Sequence, residues 1–189
     1  MAVNHFFGLR PDAETVGRLQ AISERLQRWE LPARWTHPAD YHLTLVFLGA
    51  LEADEARSLP AAVAEVAESA HAPRDLQLCG LGAAGRARGP VPRAVYAAVA
   101  DPHQACDGLR QDLCAALGVA PEPRFRPHIT LCRPSLEPAR LPLFRDWPHL
   151  LEAHGIASWG QCRFEALVLW ASDGTGAARY RALAQWSLL

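Results

Sequence analysis

The chain has 189 residues, half of them hydrophobic and 21% charged, with 19 basic residues against 20 acidic ones. That length suits one domain or two small lobes sharing a core, and the balance excludes disorder or coiled coil as a description of the whole chain. No apolar run approaches the roughly 18–20 residues that cross a bilayer, and Met1-Ala2-Val3-Asn4-His5 has no basic stretch leading into a long apolar one, so the expected compartment is the cytoplasm.

Val3 to Leu9 is short and rich in apolar and aromatic residues and predicts a strand. Asp12 is a candidate N-cap for a helix reaching about Trp29, because Val16, Leu19, Ile22, Leu26 and Trp29 fall at helical spacing. Tyr41 to Leu48 predicts a second strand, stopped by Gly49. Ser58 can cap another helix with Pro60 in its first turn and Leu59, Val63, Val66, Ala67 and Ala70 as its apolar face. Leu76 to Leu81 and Ala94 to Val99 predict strands, and the Gly- and Pro-punctuated run between them, Gly82 to Pro92, predicts a mobile loop carrying Arg86 and Arg88, with Arg93 beside it. Cys106, Leu109, Leu113 and Leu117 mark a helix that Gly118 ends. Pro127 to Arg133 predicts a strand. Pro134 to Ile156 is proline-broken, with room for one short helix near His149. Arg163 to Trp170 and Arg179 to Leu188 predict strands joined through Ser172-Asp173-Gly174-Thr175-Gly176 as a hairpin. Strands neither alternate strictly with helices nor exclude them, which points to α+β with mostly antiparallel sheet.

Composition narrows the chemistry. Every basic residue is Arg, so a Schiff-base lysine, a P-loop lysine and a lysine base are all excluded. A net charge of −1 cannot hold long nucleic acid by bulk electrostatics, so any nucleic acid would enter a local cleft. Five cysteines without a CxxC pair support neither a disulfide framework nor a cysteine zinc site, and predict reduced, mostly buried thiols.

One pattern occurs twice: His42-Leu43-Thr44-Leu45 and His128-Ile129-Thr130-Leu131, each inside a strand-like run. Period two puts His42 with Thr44 on one face, and His128 with Thr130, while Leu43, Leu45, Ile129 and Leu131 face the core. Histidine exchanges protons near neutral pH, and a threonine roughly 6.6–6.8 Å along the strand can donate to an oxyanion that the histidine also touches. Two such pairs could clamp one phosphate, one histidine deprotonating a nucleophile while the other protonates a leaving group. Threonine at the alternate position, with no acid at ligand spacing, makes a zinc hydrolase the weaker alternative.

These residues resemble the two-histidine phosphoesterases, and within them the RNA 2′,3′-cyclic phosphodiesterases, LigT-like proteins also described as 2′-5′ RNA ligases. The resemblance runs over nearly the whole chain: Phe6-Phe7-Gly8-Leu9-Arg10-Pro11 at the start, both motifs in full with Gly49 after the first and Arg133 after the second, and Arg179-Tyr180-Arg181-Ala182-Leu183 near the end. Departures fall around Arg86 to Pro92 and from Pro134 to Ile156, so the resemblance carries over the reaction but not substrate length or base preference. It implies one bilobed, pseudo-twofold domain over residues 1–189, with two small antiparallel sheets flanking a central cleft and helices outside. It implies hydrolysis of RNA 2′,3′-cyclic phosphate ends to 2′-phosphates, with reversible joining or cleavage of 2′-5′ linkages at the same site. His42 would be the proton donor to the departing 3′ oxygen, His128 the proton acceptor from water, and Thr44 and Thr130 the holders of the non-bridging oxygens, in roles that pseudo-symmetry makes interchangeable. No metal and no cofactor are implied, and the partners are RNA ends, tRNA fragments among them, met by a monomer with no membrane contact.

Arg133 would point away from His128 on a straight strand; a twist or bulge after Thr130, or simply its long reach, could return it to the cleft, where the resemblance implies phosphate binding, with a solvated or ion-paired arginine the competing role. Phe7, Phe125 and Tyr180 are candidates to stack on a base, with core packing the competing role for each. The other six histidines lack a partnered threonine and are expected to be structural or on the surface, His5 being the one whose strand could line the cleft. A protein that binds terminal phosphates without turnover is the alternative outside enzymes, and it has no need of a paired acid and base.

Overall fold

The computed structural model describes residues 3–28, 30, 32–88, 91–134, 158–174 and 177–188. The helix expected near His149 lies outside the described residues, as does Trp29, the expected end of the first helix, whose last described helical residue is Gln27 with Arg28 as its C-cap. The elements run β1 (Asn4–Pro11), α1 (Ala13–Gln27), β2 (Ala33–Trp35), a 3₁₀ turn (Pro38–Asp40), β3 (Leu43–Ala50), α2 (Ala53–Ala62), α3 (Ala64–Ser69), β4 (Gln77–Arg88), β5 (Val91–Ala100), α4 (Ala105–Leu117), β6 (His128–Pro134), β7 (Ser158–Gln161), β8 (Phe164–Ala171) and β9 (Arg181–Ser187). This is the α+β architecture that the order of elements predicts.

Local chemistry sets several boundaries. The Asp12 carboxylate accepts from the Thr15 amide at 2.8 Å and starts α1, whose buried side includes Leu19, Ile22 and Leu26. Gly118, at φ +65°, closes α4 in the left-handed region. The second helix begins earlier than expected. Glu52 and Glu55 form a capping box at its start, and the Ser58 hydroxyl instead donates to the Glu55 carbonyl inside the helix. A reading that weighs only Ser, Thr, Asp and Asn as caps misses this, because here the glutamates supply both bonds.

The stretch from Gly82 to Pro92 is a correction. Its described residues extend β4 and β5 into one long hairpin, with Ala83 opposite Val95 and Arg86 opposite Pro92. Gly82 serves the hairpin rather than breaking it. A Cβ on Gly82 would come within 2.2 Å of the Tyr96 ring on the facing strand, so only glycine fits there. Pro92 lies beyond Val95, the last β5 residue paired with β6, where a missing amide costs the least.

Among the described residues the strands form one antiparallel sheet in the order β7-β4-β5-β6-β3-β1-β8-β9, with β2 against β6. The two small sheets of the expectation are the two four-stranded halves of this order. They meet at β3 and β6 through one described pair, Leu43 opposite Ile129. Both residues are fully buried and belong to a core shared with Phe7, Leu9, Leu19, Leu78, Leu113 and Leu167. Within each half a strand, a helix and a motif strand follow in sequence, β1-α1-β3 and β5-α4-β6, and in both the first strand pairs antiparallel with the last. The expected hairpin also forms, with Ala171 of β8 opposite Arg181 of β9. Strands β2 and β7 carry no sequence signal, being three and four residues long.

Candidate active site

Both motifs sit where the halves meet. His42 lies between the 3₁₀ turn and β3, and its Nδ1 donates to the Asp40 carbonyl at 2.7 Å. His128 opens β6, and its Nδ1 donates to the Arg126 carbonyl at 2.7 Å. Each bond runs to the carbonyl two residues earlier, so each local fold fixes the same tautomer and leaves Nε2 as the nitrogen available for proton transfer. Leu43 opposes Ile129 in antiparallel register, so one step along either strand sets His42 opposite Thr130 and Thr44 opposite His128. The surface follows that register. His42 and Thr130 line one pocket of about 120 Å³, and Thr44 and His128 line a neighbouring cleft of about 510 Å³. Each histidine is thus served by the other motif's threonine.

Aromatic rings hold both imidazoles. Phe6 lies 4.7 Å from His42 between ring centroids, with Tyr180 edge-on at 5.1 Å, and Tyr96 lies 4.6 Å from His128. Gly8 makes room for this packing, since a Cβ there would meet the Leu43 carbonyl at 2.8 Å and the His42 ring at 3.5 Å. Burial pushes the pKa of His42 down to about 4, while the Asp40 carbonyl and carboxylate oppose the fall and His128 and Arg133 add to it. His42 is therefore neutral near pH 7. The Asp40 side chain is itself buried and accepts from the backbone amides of Arg179 at 2.8 Å and Tyr180 at 3.1 Å. It ties the approach to β9 against the turn that orients His42.

Arg133 reaches the same side as the motif. Tyr96 opposes Thr130 while Val95 opposes Cys132, so Leu131 is an extra residue in β6. This is a bulge after Thr130, one of the routes back to the cleft that the sequence left open. It reverses the alternation, leaving Cys132 buried and Arg133 exposed, and Arg133 lines the pocket of His42 and Thr130.

The aromatic candidates separate. Phe7 is a correction: it is 0% exposed and packs on Trp186 in the core, with no face open to a base. Phe125 is half-buried and lines the larger cleft, with the Arg110 guanidinium 4.9 Å over its ring. Tyr180 is half-buried and spends its contacts on His42 and Phe6. Sequence reasoning missed Asp40, Phe6 and Tyr96, which act through burial and long-range contacts. It also missed Phe47, a large apolar residue 61% exposed beside Thr44 in the larger cleft. Strict alternation would set Phe47, three residues after Thr44, on the core face; Phe7 opposes Val46 while Gly8 opposes Thr44, so an extra residue at Leu45 reverses the alternation and turns Phe47 outward.

His5 is buried in β1, and among the described residues its Nδ1 has no hydrogen-bond partner. His37 caps the 3₁₀ turn, His71 bonds the Ser69 carbonyl and His103 lies 3.4 Å from Asp75. His149 and His154 lie outside the described residues. Cys106, Cys114, Cys132 and Cys162 are buried, and burial holds the Cys132 and Cys162 thiols at about 12, far from nucleophilic character.

A profile of the 2′-5′ RNA ligase superfamily matches residues 11–176. The chain belongs to that superfamily. The RNA 2′,3′-cyclic phosphodiesterase of Geobacillus stearothermophilus is 40% identical over 108 residues, a match covering 54% of this chain and 33% of that protein. The protein of the same description from Bacillus subtilis (strain 168) is 47% identical over 34 residues, 18% of this chain and 19% of that one. The matches thus span a third or less of those relatives' length. Among solved structures, TT0787 of Thermus thermophilus superposes with a TM-score of 0.69 at 22% identity, covering 98% of this chain and 97% of that one. LigT of E. coli in complex with phosphate gives 0.66 at 22%, covering 99% and 98%. The chain shares their fold, with antiparallel sheet dominating and few helices among its described residues. Among its described residues no helix is long and apolar enough to cross a membrane.

Proposed function

We propose that the protein hydrolyses RNA 2′,3′-cyclic phosphate ends to 2′-phosphates by acid–base catalysis between His42 and His128. The observation that carries this reading is the crossed pairing at β3 and β6, two imidazoles with free Nε2 atoms on adjacent strands, each beside a threonine hydroxyl. The names of the Geobacillus and Bacillus relatives support it. In the reaction His128 takes a proton from water, the water oxygen bonds phosphorus, the bond from phosphorus to O3′ breaks, and His42 delivers a proton to O3′. Thr44, Thr130 and Arg133 hold the non-bridging oxygens. With a ribose 5′-hydroxyl in place of water the same step makes a 2′-5′ linkage, and its reverse, in which O3′ attacks phosphorus and O5′ leaves, breaks one. The larger cleft, at about 510 Å³, lies within the size range of small-molecule sites and takes the terminal nucleoside, with Phe125 against the base. The protein works as a monomer in the cytoplasm on RNA ends, tRNA fragments included, without metal or cofactor.

The low pKa of His42 favours an exchanged assignment, in which neutral His42 is the base and His128 the acid. The two differ in the pH–rate profile. An acid must be protonated and so sets the alkaline limb, and a base sets the acidic limb. His42→Ala removes the alkaline limb in the first assignment and the acidic limb in the second.

The test is an oligonucleotide ending in a 2′,3′-cyclic phosphate, with the product isomer identified. A 2′-phosphate is expected. His42→Ala and His128→Ala each lose on the order of 10²–10⁴ in turnover, and the double variant loses far less than the product of the two. Tight binding of the end with no product would instead support a binding protein.

A further inference from the structure

Arg34 of β2 and Arg133 of β6 are directly opposite each other in the antiparallel register. Like charges in that position destabilise a strand pair. A third arginine joins them: Arg34, Arg133 and Arg179 line the same pocket as His42 and Thr130. Against three guanidiniums the described lining sets one carboxylate, Asp40, whose oxygens already accept from the backbone of Arg179 and Tyr180. Arg179 is held in place through that backbone bond. Burial lowers the pKa of Arg34, the charges of Arg179 and Arg133 add to the fall, and Tyr180 and Asp40 oppose it.

Resting on the proposed reaction, we propose that Arg34 and Arg179 form a second phosphate subsite, which takes the phosphodiester on the 5′ side of the terminal nucleotide. The pocket, at about 120 Å³, is below the size range of sites that enclose a nucleoside-sized ligand but suits phosphate groups, with Thr130 and Arg133 at the reacting phosphate and Arg34 and Arg179 free for the next one. Guanidinium forks are the side chains best matched to phosphate oxygens. The two sides of the reacting centre then divide the substrate: the cleft of Thr44 and His128 receives the nucleoside, and the arginine pocket of His42 and Thr130 receives the chain leading to it. Arg133, next to Thr130, stays with the reacting phosphate. The substrate class this defines is an RNA end of two or more nucleotides, rather than a free nucleoside cyclic phosphate.

The experiment compares kcat/KM for a nucleoside 2′,3′-cyclic phosphate and for a dinucleotide with the same cyclic end. The wild-type protein should prefer the dinucleotide by about tenfold or more, the worth of one charge-assisted contact. Arg34→Gln and Arg179→Gln should each abolish most of that preference while leaving the mononucleoside within about twofold of wild type. The dinucleotide rate should also fall more steeply with salt than the mononucleoside rate, and the difference should vanish in the double variant. Equal losses on both substrates, no loss on either, or a wild-type protein indifferent to the second nucleotide would each overturn the subsite. A wild-type protein that opens neither substrate would overturn the proposed reaction instead.

Discussion

Thr44 and Thr130 can donate a hydrogen bond but cannot carry a proton through the reaction, and that separates them from the histidines across the strand. Thr44→Val or Thr130→Val keeps the β-branched shape and removes the hydroxyl. One lost bond to a charged oxygen is worth about 1.5–3 kcal/mol, so the rate should fall ten- to a few hundred-fold. The pH–rate profile should keep both limbs. A threonine variant that loses a limb, or has unchanged kinetics, would remove that residue from the phosphate. The same residues argue for catalysis without a metal: the site pairs imidazoles with hydroxyls and guanidiniums, and Asp40 engages both carboxylate oxygens with backbone amides. Activity should persist in EDTA; loss that a specific divalent ion restores would refute the mechanism. At this scale the sequence was most legible at His42, Thr44, His128 and Thr130, because strand alternation is local. Phe7 misled for a related reason. Alternation says that a side chain leaves the strand on a given face, but not that Trp186 covers it.

Between β3 and β6 the pair Leu43–Ile129 joins the two halves and holds the two motifs in register. Ile129→Val should cost about 0.5–1.5 kcal/mol and Ile129→Ala about 2–5 kcal/mol, the usual range for emptying a buried site. A denaturant midpoint measures the stability, and kcat/KM on the cyclic end should fall with it under conditions where the variant stays folded. If Ile129→Ala is destabilised but turns over at the wild-type rate, the seam does not align the motifs. Elements with strong local signals, such as α1 with its Asp12 cap and α4 with Gly118, were readable from the chain. The β4–β5 hairpin was not, because Gly82 serves a partner, Tyr96, on the other strand, and a glycine that accommodates a ring reads locally like one that breaks a strand. The short strand β2 was equally silent, since three residues owe their conformation to β6.

For the molecule as a whole, placing His42 at the joint between the halves makes stability depend on pH. Its folded pKa is lowered from 6.5 to about 4, so between those values the unfolded chain binds more protons than the folded one. Its contribution is fully present above about 6.5 and is lost as pH falls towards 4. His42→Gln should flatten the fall in the denaturant midpoint across that window relative to wild type. An identical pH dependence in the two proteins would show that the imidazole is not held neutral by the fold. The chain alone determined the α+β class, the two motif strands and the chemistry their side chains can perform, because alternation, caps and residue types act over a few neighbouring positions. Only the tertiary structure decided that His42 lies beside Thr130 and His128 beside Thr44, that a bulge at Leu131 turns Arg133 to the pocket of His42, and that Arg34, Arg133 and Arg179 share that pocket. Those facts follow from hydrogen-bond register between strands far apart in the chain, and register is set by the burial of residues such as Leu43 and Ile129 in a common core.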